Sequence, residues 1–176
     1  DRVREADAFY TSGITPALSA TLAETTEALL EAAGEAGATR AFDLNYRAKL
    51  WEPQEAAATL RPLFGHVDIL VVAARDAATV LDRDGEPATV ARELAADYDC
   101  DLVVVTRGDA GAVAAHDGET YEQDALATDT VDPVGTGDAF VGGLLASRVA
   151  GGSAPEALEV AAATAALKRT VAGDAA

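Results

Sequence analysis

A glycine-rich segment followed by an acid is the part of this sequence best suited to chemistry. Residues 129–140 read DTVDPVGTGDAF, which places small residues where a loop leads into a helix. Gly135 and Gly137 let the backbone approach a ligand closely, and the first amides of the helix point at that ligand with the positive end of the helix dipole. We therefore predict an anion hole for a phosphate, with Asp138 placed to accept the proton of an attacking hydroxyl.

The same segment also has a purely structural interpretation. Gly135 and Gly137 can form a turn, and Asp138 can simply favour the N-terminus of a helix. Asp132, three residues before the glycines, weighs against that interpretation, because a loop carboxylate there can help to hold substrate or metal.

A second polar segment, DLNYR at residues 43–47, follows an apolar strand. An open α/β sheet presents ligand-binding side chains at the carboxyl ends of its strands, so we expect Asn45 and Arg47 to bind substrate. Arg47 can make bidentate hydrogen bonds to a phosphate or to a substrate carboxylate. The alternative is a surface loop with an Arg–Asp pair, in which Trp51 packs in the core.

The elements that must position these segments alternate between short apolar runs and longer alanine-rich amphipathic stretches. This rhythm predicts an α/β fold with a mostly parallel sheet in one domain over residues 1–176. We expect strands at 8–10, 38–44, 67–72 and 102–106, and helices at 16–34, 52–64, 76–81, 87–97, 137–149 and 155–171. The first helix is predicted to have Thr15 as its N-cap. A turn at Asp117 and Gly118 predicts an antiparallel hairpin of strands 111–115 and 119–123 at one edge of the sheet.

The charge is extreme for a chain of 176 residues: 30 acids against 13 Lys and Arg give a formal charge of −17 and a sequence pI near 4.2. Nucleic acid and anionic membrane are therefore poor partners. Scattered acids with few lysines are typical of a protein that works at high salt, which screens the self-repulsion, and an ordinary acidic domain is the alternative. The chain shows no long apolar run and no targeting segment, so we expect a cytoplasmic protein.

Sulfur and imidazole contribute little to the predicted chemistry. Cys100 stands alone at the start of an apolar strand, so we expect a half-buried structural thiol. His66 and His116 lack the spacing of metal ligands along the chain.

The segment at 129–140 resembles the second signature of the ribokinase-like, PfkB-type carbohydrate kinases, usually written DTxGAGD. Pro133 stands where threonine is commoner, and Thr136 where alanine is commoner. The resemblance implies a three-layer α/β/α fold in which Asp138 is the catalytic base and Gly135, Thr136 and Gly137 form the anion hole.

Other segments follow the same family in order. Residues 43–51 are similar to its D-x-N-x-R stretch, and their Leu-Trp ending looks most like 2-keto-3-deoxygluconate kinases. Residues 106–111 resemble its nucleotide loop, which implies ATP contacts from Thr106, Arg107, Gly108 and Gly111. Residues 161–174 look like its last helix and following loop, which flank the adenine.

The family's N-x-x-E motif for the magnesium network is altered in this chain. The matching segment reads AARD at residues 73–76, so Ala73 offers no ligand atom. The resemblance then leaves Asp76 as the one metal-site residue for Mg²⁺, with a helix N-cap as the alternative role for this acid.

The resemblance implies an ATP-dependent kinase for a small sugar or sugar acid, most like one that converts 2-keto-3-deoxygluconate to its 6-phosphate. Another kinase of the family, a fructokinase or ribokinase, is the nearest alternative, and a catalytically silent nucleotide-binding domain is a further one. Members of the family are longer at the N-terminus, so we expect the chain to be a C-terminal part without the first strands and the lid. The oligomeric state, including a homo-oligomer of the full-length protein, stays open.

Overall fold

The computed structural model describes residues 2–173, and these residues form one mixed sheet covered on both faces. The strands are β1 (Ala8–Ser12), β2 (Thr39–Asp43), β3 (Ile69–Ala73), β4 (Leu102–Thr106), β5 (Ala112–His116) and β6 (Glu119–Gln123). The helices are α1 (Ile14–Ala17), α2 (Ala20–Glu35), α3 (Pro53–Phe64), α4 (Ala74–Leu81), α5 (Pro87–Tyr98), α6 (Thr136–Val149) and α7 (Ala154–Arg169), with short 3-10 turns at Arg2–Glu5 and Gly108–Ala110.

The strands lie in the sheet in chain order, from β1 to β6. Strands β1 to β4 are parallel, and β5 and β6 are antiparallel additions at one edge, so the mostly parallel sheet with a hairpin edge is confirmed. The register pairs Ser12 with Asp43 and Ala73 with Thr106. The carboxyl ends of the four parallel strands therefore meet along one edge of the sheet.

Alternation along the central strands divides the core into two layers. Leu70 and Val72 of β3 pack with α2 to α5, whereas Ile69 and Val71 pack with α6 and α7. Successive side chains of a strand point to opposite faces, so two buried faces require continuously apolar strands. The result is the expected three-layer α/β/α arrangement, and Trp51, which is 7% exposed, belongs to the core of the first layer.

The long first helix predicted at 16–34 is wrong, because the structure divides this segment into two helices. α1 ends at Ala17, and the Ser19 hydroxyl accepts a hydrogen bond from the Leu22 amide at 3.2 Å, which caps the start of α2. Thr15, the predicted N-cap, lies inside α1. A serine side chain that accepts a hydrogen bond from a free amide of the first turn stabilises a new helix start. Here this cap outweighs the amphipathic pattern, which would continue a single helix.

The remaining predicted elements are present, with ends shifted by a few residues. The third strand begins at Ile69 and not at residue 67, and the first hairpin strand begins after Gly111. Within the described part of the chain, no helix is both long enough and apolar enough to cross a membrane.

Gly111 joins β4 to the hairpin in a conformation that requires glycine. Its φ is +85°, and a Cβ at this position would lie 2.0 Å from the Gln123 carbonyl oxygen. We expect Gly111→Ala to lower the free energy of unfolding by more than about 3 kcal/mol, from backbone strain and steric overlap together. Gly118→Ala is the matched control, because Gly118 also has positive φ (+79°) but open space around its Cβ position. Gly118→Ala should lower the free energy of unfolding by no more than about 1–2 kcal/mol. Equal losses for the two variants in denaturant unfolding would contradict this account.

Cys100 is 8% exposed, so it is buried more deeply than the predicted half-buried thiol. Burial and the neighbouring Asp68, Asp101 and Asp99 raise the pKa of its thiol to about 12. The thiolate is the reactive form of cysteine, so we expect negligible labelling by iodoacetamide at about pH 8 in the folded protein. Labelling should appear only when denaturant unfolds the protein, and rapid labelling of the folded state would show that this burial is wrong.

Candidate active site

The loop before α6 places free backbone amides where the sequence predicts an anion hole. Gly135 has φ +77° at the N-cap of α6, and this left-handed conformation turns the chain into the helix. The amides of Gly137 and Asp138 have no hydrogen-bond acceptor within residues 2–173, whereas the Thr136 amide and hydroxyl both donate to the Pro133 carbonyl, at 3.2 and 2.7 Å. The Gly135 amide likewise has no acceptor among these residues, so the free donors are those of Gly135, Gly137 and Asp138, and Thr136 stabilises the turn.

Asp138 is exposed in the first turn of α6 and faces a cleft of about 390 Å³ at the carboxyl edge of the sheet. Every side of this cleft is supplied by an element that ends or begins at that edge. Its charged lining consists of Asp43, Asp76, Asp138, Arg47 and Arg75. The cleft therefore combines the base predicted from the sequence with two further acids and two cations. We name it the acceptor cleft, after the hydroxyl-bearing phosphoryl acceptor that the sequence leads us to expect.

Asn45 and Arg47 lie in the acceptor cleft, as predicted, because the chain turns sharply after β2. Asn45 has φ +40°, and its amide donates to Asp43 Oδ1 at 3.1 Å. Arg47 is exposed and, among the described residues, has no carboxylate within 4 Å, which argues against the alternative of an Arg–Asp surface pair. The substrate-binding roles of Asn45 and Arg47 remain predictions, and their positions agree with such roles.

Asp43 is a site residue that the sequence analysis missed. Burial raises the pKa of its carboxyl to about 7; Asp138 and Asp76 raise it further, whereas the amide of Asn45 and the charge of Arg47 oppose the shift. The available signal was its position as the first acid of the DLNYR segment, directly at a strand end. Its burial beside two other acids comes from elements distant in the sequence and was not visible there.

Asp76 also lines the acceptor cleft, but it is not the N-cap of α4. Ala73 occupies the N-cap, and Asp76 lies in the first turn, 6% exposed, with its Oδ1 3.3 Å from Arg75 Nε. Burial raises the pKa of Asp76, while Arg75, the Tyr46 amide and Arg47 act in the opposite direction.

Within the described residues, the acceptor cleft contains no site in which protein side chains alone would coordinate Mg²⁺. Among them, one group of three acidic, His or Cys residues has its ligand atoms within 4.8 Å of one another: Glu27, Glu31 and His66. This group is remote from the acceptor cleft. It brings two exposed acids of α2 next to a histidine that sequence spacing had not linked to them. Mg²⁺ usually keeps several waters and binds through one or two carboxylates plus phosphate oxygens. The acceptor cleft fits that mode, with Asp76 as a carboxylate that can contact a metal-bound water.

A second cleft, which we name the nucleotide cleft, adjoins the first across the loop before α6. Its volume is about 200 Å³, and Thr106, Thr136, Gly137 and Phe140 line both clefts. Its other lining residues come from the β4–β5 connection and the start of β5, from the end of β6 and the segment after it, and from α7: Gly108, Gly111, Ala112, Gln123, Ala125, Leu126, Ala162, Ala165, Ala166 and Arg169. Most of these side chains are small or apolar, which suits a flat aromatic base.

Arg107 and Asp132 have other partners than the predicted ligands. The Arg107 side chain, 19% exposed, reaches Glu122 of β6 at 3.4 Å and does not line the nucleotide cleft. Asp132 accepts hydrogen bonds from the amides of Val134 (2.9 Å) and Gly173 (3.0 Å), which lower the pKa of its carboxyl. Both side chains therefore fix loops beside the clefts. Asp174, at the end of the predicted adenine-flanking segment, lies outside the described residues.

Arg169 is a second residue that the sequence analysis missed. It lies at the end of α7, and its side chain reaches Thr130 Oγ1 at 3.0 Å and Asp109 Oδ1 at 3.3 Å. Its carbonyl also accepts from the amides of Val131 and Asp132. Arg169 thus joins three segments around the nucleotide cleft, and only its place near the end of the last helix hinted at this.

Comparison with known proteins agrees with this geometry. The chain is 59% identical over 174 residues to a 2-dehydro-3-deoxygalactonokinase from Haloferax volcanii, covering 99% of this chain and 55% of that protein. It is 38% identical over 176 residues to a 2-dehydro-3-deoxygluconokinase from Thermoproteus tenax, covering 98% of this chain and 52% of the relative. A fructokinase from Klebsiella pneumoniae is 37% identical over 129 residues, covering 73% and 42% of the two chains.

The fold agrees as well. The crystal structure of 2-dehydro-3-deoxygluconokinase from Thermotoga maritima superposes with a TM-score of 0.89 at 32% identity, covering 97% of this chain and 56% of that one. The chain thus spans about half the length of the relatives and structures it matches. All of its residues, 1–176, match the sequence profile described as pfkB family carbohydrate kinase. With the α/β/α fold, the glycine loop and Asp138 in place, the chain belongs to the pfkB family of carbohydrate kinases.

Proposed function

We propose that this chain supplies the nucleotide-binding and catalytic part of an ATP-dependent kinase whose acceptor is a 2-keto-3-deoxy sugar acid. The observation that carries the proposal is the position of Asp138. Its exposed carboxylate stands beside the free amides of Gly137 and Asp138, at the boundary between the acceptor cleft and the nucleotide cleft. A base is needed at that boundary, because the acceptor hydroxyl must meet the terminal phosphate of ATP there.

The mechanism follows from the loop before α6. ATP with its base in the nucleotide cleft extends its phosphates toward Gly135 and Gly137, where two amides and the helix dipole stabilise the charge of the transferring phosphoryl group. Asp138 takes the proton from the acceptor hydroxyl as its oxygen approaches the phosphorus. Mg²⁺, when bound to the ATP phosphates, would neutralise part of their charge, and Asp76 would hold one of its waters.

The two cations of the acceptor cleft favour an acidic sugar over a neutral one. Arg47 and Arg75 both line this cleft, and their guanidinium groups suit a carboxylate better than a hydroxyl. The 2-keto-3-deoxy sugar acids named for the Haloferax and Thermoproteus relatives carry such a carboxylate. We propose 2-keto-3-deoxygluconate, phosphorylated to its 6-phosphate, or its galactonate epimer, as the acceptor.

The first test measures ATP turnover by the complete protein that contains this chain, in multimolar KCl with Mg²⁺. We expect both 2-keto-3-deoxy sugar acids to be better acceptors than fructose and ribose by at least about tenfold in kcat/KM. Preference for fructose would keep the mechanism and change the substrate. Absence of turnover with all four would support the silent nucleotide-binding alternative.

Asp138→Asn tests the base directly. It keeps the size of the side chain and removes proton acceptance, so we expect kcat to fall by about 10²–10⁴-fold. ATP affinity, measured by calorimetry, should change by less than about threefold, because the amides and the nucleotide cleft remain. Undiminished kcat would remove Asp138 as the base, and loss of ATP binding would indicate a structural role.

Arg47→Gln tests carboxylate recognition. We expect the KM for the sugar acid to rise by about 10- to 100-fold with a smaller change in kcat, since one charge-assisted interaction is lost. Lys49→Gln is the matched control, because Lys49 is an exposed cation two residues away that does not line the acceptor cleft. Equal effects of the two changes would attribute the loss to general electrostatics.

A further inference from the structure

The Asp43 carboxyl is a partly buried titratable group that the mechanism above does not use. It stands at the last residue of β2 and lines the acceptor cleft, with Oδ1 accepting the Asn45 amide at 3.1 Å. Its other oxygen, Oδ2, has no hydrogen-bond partner within residues 2–173, and it is not sealed from solvent. One oxygen of Asp43 thus holds the turn that carries Asn45 and Arg47, and the other is free to meet a ligand.

The groups that face Asp43 come from four other parts of the fold. Asp138 comes from α6, Asp76 from α4, Tyr10 from β1 and Arg47 from the turn after β2. Arg75, the other cation of the acceptor cleft, pairs with Asp76. Residues Val71 and Ala73 of β3 add only apolar surface to this lining.

This balance of charge favours an uncharged Asp43. Its pKa of about 7 leaves a large protonated fraction near neutral pH, whereas Asp138 is exposed and free to act as the base. Pairs of carboxyls whose environments separate their proton affinities commonly divide the roles of hydrogen-bond donor and base between them. The carboxylate of an acidic acceptor that enters the acceptor cleft makes a further ionised acid beside it still less favourable.

We propose that Asp43 is a substrate-binding residue of the acceptor cleft, whose uncharged carboxyl donates a hydrogen bond to an acceptor oxygen that carries no proton. The keto and carboxylate oxygens of a sugar acid are such oxygens, so this inference rests on the proposed function and adds a second determinant of its substrate class. The protonated Oδ2 donates while Oδ1 continues to accept from Asn45. When Asp43 ionises, the donor is lost and the remaining charge repels the acidic acceptor.

The pH dependence has a definite sign. Asp43 has a higher pKa in the folded protein than an ordinary aspartate, so the working, protonated form is present at low pH and is lost as pH rises through about 7. We expect kcat/KM for the sugar acid to fall about tenfold per pH unit above that value. The KM should carry most of the change, because the group acts in acceptor binding.

Asp43→Asn is the decisive variant, because its amide keeps an acceptor for Asn45 and a donor for the substrate at every pH. We expect this variant to lose the alkaline decline between about pH 7 and pH 9, and to bind the sugar acid at least about tenfold more tightly than Asp43→Ala. Asp117→Asn, in the exposed turn between β5 and β6, is the control and should keep the wild-type profile. An alkaline decline that persists in Asp43→Asn overturns the inference while the proposed function stands.

Calorimetry of the unmodified complete protein gives a second measurement that does not depend on any variant folding. Binding of the sugar acid at about pH 8, compared in buffers of different ionisation enthalpy, should take up close to one proton, because binding selects the protonated Asp43. Zero uptake would overturn the inference. Absence of turnover with either sugar acid would overturn the proposed function and this inference together.

Discussion

The common register of the four parallel strands is the constraint on which the whole site depends. Ser12 pairs with Asp43 and Ala73 pairs with Thr106, so β1 to β4 all end along one edge of the sheet. Helix α6 begins at the same edge, because the loop after β6 is held there by hydrogen bonds from Val131 and Asp132 to the Arg169 carbonyl. The backbone ladder thus brings together side chains that are far apart in the sequence.

The acceptor cleft brings five charged side chains together from different elements of the fold. It holds three carboxylates and two guanidinium groups, in a protein with a formal charge of −17. The free amides of the α6 N-terminus and the two arginines offset part of this like charge. Burial, with the charges of Asp138 and Asp76 added to it, raises the pKa of the Asp43 carboxyl in this cleft to about 7.

Several polar residues around the two clefts form hydrogen bonds or ion pairs with neighbouring protein segments. Asp132 accepts hydrogen bonds from nearby amides, and Arg107 pairs with Glu122. The Arg169 side chain hydrogen-bonds to Thr130 and Asp109. A side chain can form only a few hydrogen bonds, and the sequence does not show which neighbouring groups will form them. This is why residue types at the right spacing identified the loop segments but did not reveal the protein partners of Asp132 and Arg107.

The sequence by itself determined the α/β class, almost every strand and helix, and the glycine loop with Asp138 in the first turn of the helix after it, because these follow from local periodicity, turn residues and spacing along the chain. It misplaced the first helix, where the hydroxyl of Ser19 competes with an amphipathic pattern. Only the tertiary structure decided that Asp43, Asp76 and Asp138 share one cleft and that Asp43 is partly buried there. Burial and the distances between residues from different strands set a proton affinity, and neither quantity exists until the sheet has formed.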